Sequence, residues 1–336
     1  MSKIREPFSI WYNAQSQIFC TLMKQIYYYI YHHFKSEYSA LYYGLTAICM
    51  LIFITLNYTL GIERHLRGSF SGIWQVAAYF VFYAVPYFTV VALQKLTQQD
   101  TLYLKQASFW AQIIFVFLLL SFDATYIVSN FLLTTYKNYY TNKDTYYVGR
   151  ICVALNSLVA MGIPLLIYWL LWGRKKIATF YGLTWRGFKP QPYLYMLAIM
   201  LPIIVLASFF SQFTDYYPTL KLYGINTLSI APPAVAIALY EFIYGLDFMW
   251  TEIIIRGFLV IGMYRLMGAR AVMPMVALYA FRHFNKPIIE TISSVFGGYA
   301  LGCIAYRSNN VLGGVFIHAG IAILMDLVAM AQWFAH

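Results

Sequence analysis

Long apolar runs, separated by short polar segments, constrain this 336-residue chain more than any other feature of its sequence. A helix that spans a bilayer needs about 20 mostly apolar residues, and nine runs approach or exceed that length. Charged residues make up only 10% of the chain, whereas a soluble domain carries about 25%. Because lipid offers the backbone no hydrogen-bond partners, such runs fold as helices. The sequence therefore predicts an all-α, polytopic integral membrane helix bundle with about eight to nine transmembrane helices.

The nine runs differ in length, and the seventh is the shortest. We expect it to be a half-helix or to be shielded by its neighbours, since lipid-exposed irregular backbone is excluded. The predicted runs are Ala40–Ile62, Phe70–Leu93, Ser108–Tyr136, Gly149–Trp172, Tyr193–Phe213, Pro232–Gly262, Ala271–Phe284, Ile288–Tyr306 and Val311–Phe334.

The net charge of +11 does not indicate nucleic-acid binding, because the basic residues stand in short clusters between the apolar runs. Lys and Arg are enriched in cytoplasmic loops of membrane proteins. With the N-terminus inside, the inner segments hold about twice as many Lys and Arg residues as the outer ones. We therefore expect a multi-pass protein of the cytoplasmic membrane with its N-terminus inside. Residues 1–39, basic and rich in aromatic side chains, are expected to lie at the membrane interface.

Ionisable residues inside the predicted spans are concentrated late in the chain. Such residues are costly in a membrane and are functional candidates by default. Away from the ends of the runs, Asp123 stands alone in the first five. The last four runs contain Glu241, Asp247, Glu252, Arg256, Arg282, His283, His318 and Asp326. Any one of these could be a structural ion pair, but a whole cluster of buried pairs rarely stabilises a fold. The cluster therefore predicts a functional polar core.

Helical spacing narrows the core to a few side chains. Residues three or four apart share a helix face, so Glu252 can pair with Arg256, and Tyr279 lies beside His283. Three helices can then direct Glu252, His283 and His318 to one place. One carboxylate and two imidazoles can bind zinc, or they can activate a water molecule by general base catalysis. Both uses are hydrolytic.

Three motifs in these spans resemble the CPBP family of intramembrane proteases, which includes the CAAX prenyl endopeptidase and bacteriocin-processing proteins. The family pattern is Glu-Glu-x-x-x-Arg, then Phe-x-x-x-His, then His-x-x-x-Asn/Asp. This chain has Thr251-Glu252-x-x-x-Arg256, then Tyr279-x-x-x-His283, then His318-x-x-x-Ala322. The resemblance implies a protease core at residues 214–336, preceded by N-terminal transmembrane helices at 40–213.

Two positions depart from the family pattern. Thr251 replaces the acid that the resemblance implies as the water-activating base, and Ala322 replaces the Asn/Asp of the oxyanion site. Glu252 could take over as base, or Asp247 and Asp326, each one turn from a missing position, could supply the lost carboxylates. Alternatively, the Glu252–Arg256 pair is structural and catalysis has been lost.

The first hypothesis is therefore an intramembrane endopeptidase that acts on peptides or membrane-associated proteins. Its predicted catalytic residues are Glu252, His283 and His318. Its supporting residues are Arg256, Thr251, Asp247, Tyr279 and Asp326. Either Zn²⁺, bound by Glu252, His283 and His318, or no cofactor is expected, and lipids and a peptide substrate are the expected partners. The alternatives are an inactive CPBP-like membrane scaffold and a proton-coupled transporter that uses Asp123, Asp247 and Asp326.

Overall fold

The computed structural model describes residues 23–97, 99–136, 142–175 and 177–335. This part of the chain is helical and contains no β-strand. Six helices are long and apolar enough to cross a membrane, which confirms a helical membrane bundle. The predicted count of eight to nine spans is not confirmed.

The helices are numbered here in chain order. They are α1 (residues 23–37), α2 (Ala40–Leu60), α3 (Ile62–Ser69), α4 (Gly72–Leu96), α5 (Ala107–Ala124), α6 (Ile127–Tyr136), α7 (Asn142–Ser157, continued by π-helical and α-helical turns to Gly173), α8 (Gln191–Ala207), α9 (Ser211–Tyr216), α10 (Pro233–Glu252), α11 (Val272–Phe281), α12 (Ile288–Ser308) and α13 (Leu312–Ala335).

The fifth, sixth and seventh predicted runs are helical but do not meet the criteria for a span. In the fifth, α8 ends at Ala207 and α9 follows after a turn. In the sixth, α10 is long, but three of its residues are acidic. The seventh contains only the ten-residue α11, whose residues are almost all buried. This burial agrees with the expectation that its neighbours shield it.

A ten-residue π-helix, Ile253–Gly262, extends α10 directly after Glu252. The π-helix packs closely against the segment that contains Tyr181 because Gly257 has no side chain. A Cβ atom at Gly257 would lie 2.6 Å from the carbonyl oxygen of Tyr181. The wider π-helical turn changes the face on which later residues lie. Such turns occur frequently at functional sites.

The main hydrophobic core combines buried residues of α4, α5, α11 and the π-helix. Two glycines let α12 approach α11 closely, because a Cβ at Gly298 would lie 2.9 Å from Tyr279 and one at Gly302 would lie 2.6 Å from Met275. At the start of the described chain, α1 packs on α12, with Ile26 against Leu301 and Ile304. The predicted interfacial segment 1–39 lies outside the described residues up to position 22.

Candidate functional site

The carboxylate of Glu252 is the centre of a buried polar network. Its Oε1 atom accepts a hydrogen bond of 2.6 Å from Nη1 of Arg256 and one of 2.9 Å from Nδ1 of His318. Glu252 and Arg256 are completely buried, and the His318 side chain is 12% exposed. The predicted Glu252–Arg256 pair is thus present. It also binds a histidine that belongs to a different helix.

The network requires a glycine on the facing helix. Gly314, one turn before His318 on α13, packs directly against Glu252, and a Cβ atom there would lie 2.2 Å from Oε2. Arg256 is held from the other side, because its Cζ atom lies 4.0 Å from the ring centroid of Tyr279. A guanidinium over an aromatic face is favourable, and more so when desolvated.

The hydrogen-bond partners of His283 and His318 determine which ring nitrogen carries the proton. Nδ1 of His283 lies 3.0 Å from the carbonyl oxygen of Tyr279. A carbonyl oxygen only accepts, so Nδ1 donates and Nε2 is left as an acceptor. His318 donates from Nδ1 to Glu252 by the same argument. The rings are 6.2 Å apart, nearly parallel, and the Tyr279 hydroxyl lies 3.3 Å from Nε2 of His318.

A cavity of about 180 Å³ opens beside the two histidines. We call it the polar cavity. Glu252 and Arg256 are not part of its wall. They lie behind the wall, where Glu252 contacts His318 and Arg256 contacts the ring of Tyr279. The wall is formed by Asp123, Tyr126, Arg150, Val153, Ala154, Ser157, Tyr216, Thr219, Tyr240, Tyr244, Asp247, Phe248, Thr251, Tyr279, Arg282, His283, Asn285, Lys286 and His318.

Asp123, which looked isolated in the sequence, has three partners. Arg282 donates to it from Nη2 at 3.0 Å, and Ser157 and Asn156 donate to Oδ1 at 2.8 and 3.1 Å. Arg282 is thus directed at Asp123 and not at Asp326. Tyr126 marks the same region with a backbone φ of 51°, an uncommon conformation for a bulky residue.

Asp247 also faces the polar cavity, one helical turn before Thr251. Its Oδ1 atom is buried and has no hydrogen-bond partner among the described residues. Thr251, at the position of the missing family acid, is part of the wall as well. Asp247 is therefore a carboxylate of the cavity wall that lies one helical turn from Thr251, the position where the family pattern has an acid.

Asp326 does not point to the histidines. Its Oδ1 atom accepts a hydrogen bond of 2.8 Å from the backbone N–H of Thr219, and its Oδ2 atom accepts one from the Thr219 hydroxyl. Asp326 thus anchors the loop that precedes α10. Ala322 is 5% exposed and does not belong to the cavity wall. The structure gives no sign that Asp326 replaces the side chain lost at this position.

Sequence reasoning missed several polar residues of this site. Ser157 and Thr219 had no signal, because their partners are 34 and 107 residues away. Arg150, at the start of the fourth predicted run, was not among the candidates, yet it lines the cavity and donates to the Tyr240 hydroxyl at 3.0 Å. Lys286, also in the wall, pairs with Glu290 one helical turn away at 2.5 Å.

The predicted zinc ligands fit a metal only in part. The two imidazoles each have an unprotonated Nε2, and a carboxylate behind a ligating histidine is a common arrangement at metal sites. Glu252 itself is directed at Arg256 and His318, which leaves two ligands where catalytic zinc usually has three. Across the described ranges no group of three His, Cys, Asp or Glu side chains has metal-binding spacing. Zinc binding stays a prediction.

Comparison with known proteins yields no relative for this chain: no family model, curated protein or solved structure matches it. What the fold defines is the class, an all-helical integral membrane bundle.

Proposed function

We propose that this chain is an intramembrane endopeptidase that hydrolyses peptide bonds of peptides or membrane-associated proteins. The observation that carries the proposal is the polar cavity within a membrane bundle, which is lined by two imidazoles that each have an unprotonated Nε2, with the Tyr279 hydroxyl 3.3 Å from that of His318. The order of the three motifs, which resembles the CPBP pattern, supports the same reaction class. Because Thr251 and Ala322 depart from the family pattern, we assign the catalytic roles from the hydrogen bonds and distances of the site.

His318 is the general base in this proposal. A neutral imidazole can take the proton of a water molecule as its oxygen attacks the carbonyl carbon of the substrate. Glu252 sits behind His318, fixes its tautomer through the 2.9 Å bond to Nδ1, and stabilises the imidazolium that forms. Arg256 in turn fixes the carboxylate. This assignment makes Glu252 a positioning residue, because complete burial keeps it from the water.

The remaining steps use groups of the same wall. The Tyr279 hydroxyl, 3.3 Å from Nε2 of His318, can donate to the oxyanion that forms on the carbonyl oxygen. His318 then gives its proton to the leaving nitrogen as the C–N bond breaks, which releases a carboxylate and an amine. His283, held through its Nδ1, accepts a hydrogen bond from the attacking water and orients it.

Membrane arrangement forms part of the proposal. Besides the six long apolar helices, α8 and the continuous helix formed by α10 and its π-helix cross the bilayer, and α11 enters it without crossing. This gives the eight to nine membrane segments expected from the sequence. We place the protein in the cytoplasmic membrane with its N-terminus on the cytoplasmic side, because Lys and Arg are enriched in the segments assigned to that side.

The test is peptide cleavage by the purified protein in lipid nanodiscs, followed by mass spectrometry over a mixed library of apolar and membrane-anchored peptides. We expect His318→Ala to reduce the rate by about 10²- to 10⁴-fold, the usual contribution of a general base. His65→Ala is the matched control, since His65 is exposed on α3 and bonds only its own helix. Equal rates for His318→Ala and wild type would refute the assignment, and binding without product would favour an inactive scaffold. Zinc content of the same sample, measured by mass spectrometry, tests the metal.

A further inference from the structure

One carboxylate in the wall of the polar cavity, that of Asp247, forms no direct ion pair with a described residue. Asp123 is paired with Arg282, and Lys286 is paired with Glu290. Asp247 forms no ion pair within the described part of the chain, and its buried Oδ1 atom lacks a hydrogen bond. Ser157, Arg282 and Lys286 are near enough to interact with this carboxylate, but its Oδ1 atom is left open to a donor that enters the cavity.

Arg150, the remaining cation of the wall, is too far away to balance Asp247. It donates to the hydroxyl of Tyr240 and lies over the same ring. Tyr240 precedes Asp247 by seven residues on α10, which is about 10 Å along the helix axis. An unbalanced carboxylate at membrane depth is costly, and such residues pair with a partner or mark a substrate path.

We propose that Asp247 binds the ammonium or guanidinium group of a basic substrate residue next to the scissile bond. This inference rests on the proposed function for the position of the scissile bond. Asp247 lies one turn, about 5–6 Å, from Thr251 on the same wall. An extended peptide advances about 3.3–3.6 Å per residue. The cation therefore belongs to a residue within about two positions of the bond that is cut, and the substrate class is a peptide with Lys or Arg there.

Binding can be measured without turnover, in the His318→Ala protein in nanodiscs of zwitterionic lipid. The probes are two fluorescent peptides that differ only at one position, Lys in one and norleucine in the other, with empty nanodiscs to subtract lipid binding. We expect the Lys peptide to bind about ten- to a hundredfold more tightly, which is the usual strength of hydrogen bonds to charged groups. Adding Asp247→Asn should remove this preference and leave the affinity for the norleucine peptide unchanged.

Two further variants separate a local charge effect from general damage. Asp247→Glu keeps the charge and should retain most of the preference. Asp215→Asn removes an exposed carboxylate of α9 and should leave the preference at its full value. An undiminished preference in Asp247→Asn would overturn the proposal, and so would equal binding of both peptides to the parent protein.

The binding experiment can fail or succeed separately from the cleavage experiment. A Lys preference that depends on Asp247, in a protein whose wild type cleaves nothing, would support the cation site and contradict the endopeptidase. Cleavage without any Lys preference would do the reverse.

Discussion

Gly314→Ala is the substitution that most directly disturbs the network around Glu252. The added Cβ would lie 2.2 Å from Oε2 and 3.1 Å from Cδ of Glu252. Ordinary contacts between heavy atoms are about 3.5–4.0 Å, so the carboxylate or helix α13 must move by roughly 1 Å. Overpacking of this kind costs about 1–3 kcal/mol. Weakened charged hydrogen bonds to Arg256 and His318 add to it, at about 1.5–3 kcal/mol for each bond lost.

We therefore expect Gly314→Ala to lower the free energy of unfolding by about 2–4 kcal/mol, combining these costs with partial relaxation. The measurement is reversible unfolding in mixed detergent micelles, followed by tryptophan fluorescence. Gly297→Ala is the matched control. Gly297 lies in α12 with open space where its Cβ would be, so alanine there should be neutral or stabilising by up to about 1 kcal/mol.

A double-mutant cycle identifies the cause of the loss. In a background of Glu252→Ala with Arg256→Met, the clash partner and the buried charges are both absent. Gly314→Ala should then cost less than about 1 kcal/mol, because interaction energies vanish when the contact is removed. The same cost in both backgrounds, or a neutral Gly314→Ala in the wild type, would refute the close approach of α13 to Glu252.

Three other perturbations test separate parts of the structure. Arg256→Met alone should destabilise the fold by about 3–5 kcal/mol, because buried Glu252 loses its guanidinium partner and keeps only the bond from His318, while Arg256→Met with Glu252→Ala should cost less. The same unfolding assay decides, and a larger cost for the double variant would contradict the pairing. Arg282→Gln should destabilise the fold by several kcal/mol, because it leaves the buried carboxylate of Asp123 without its cation. Arg270→Gln should cost less than about 1 kcal/mol, because its pair with Asp100 is more exposed. Equal effects of the two substitutions would argue against a buried Asp123–Arg282 pair. Asp326→Ala should speed trypsin cleavage after Lys221 about tenfold or more, because the loop before α10 loses the two hydrogen bonds that Thr219 donates to this carboxylate. An unchanged cleavage rate, followed by gel electrophoresis, would contradict the anchoring role.

The fold class and the Glu252–Arg256 pair could be predicted because both depend on local patterns. Apolar length identified the six long helices, and a spacing of four identified the Glu252–Arg256 pair. The position of Glu252 behind His318 could not be predicted, since it depends on the close packing of Gly314 and on the π-helix that follows Glu252.

The rest of the site depends on contacts between distant parts of the chain. Asp123 and Arg282 are 159 residues apart, and Asp326 is 107 residues from Thr219. Nothing in either local sequence indicates the partner. Asp326 therefore looked like a candidate catalytic acid, although its carboxylate is used to hold a loop.

The central claim is that His318 activates water for peptide hydrolysis at the polar cavity. The most direct measurement is cleavage in water enriched in ¹⁸O, with the new C-terminal carboxylate analysed by mass spectrometry. If His318 is the base, ¹⁸O enters this carboxylate in the wild type and in His65→Ala, and the labelled product forms about 10²- to 10⁴-fold more slowly in His318→Ala. An absence of cleavage in the wild type, or labelled product from His318→Ala at the wild-type rate, would contradict it.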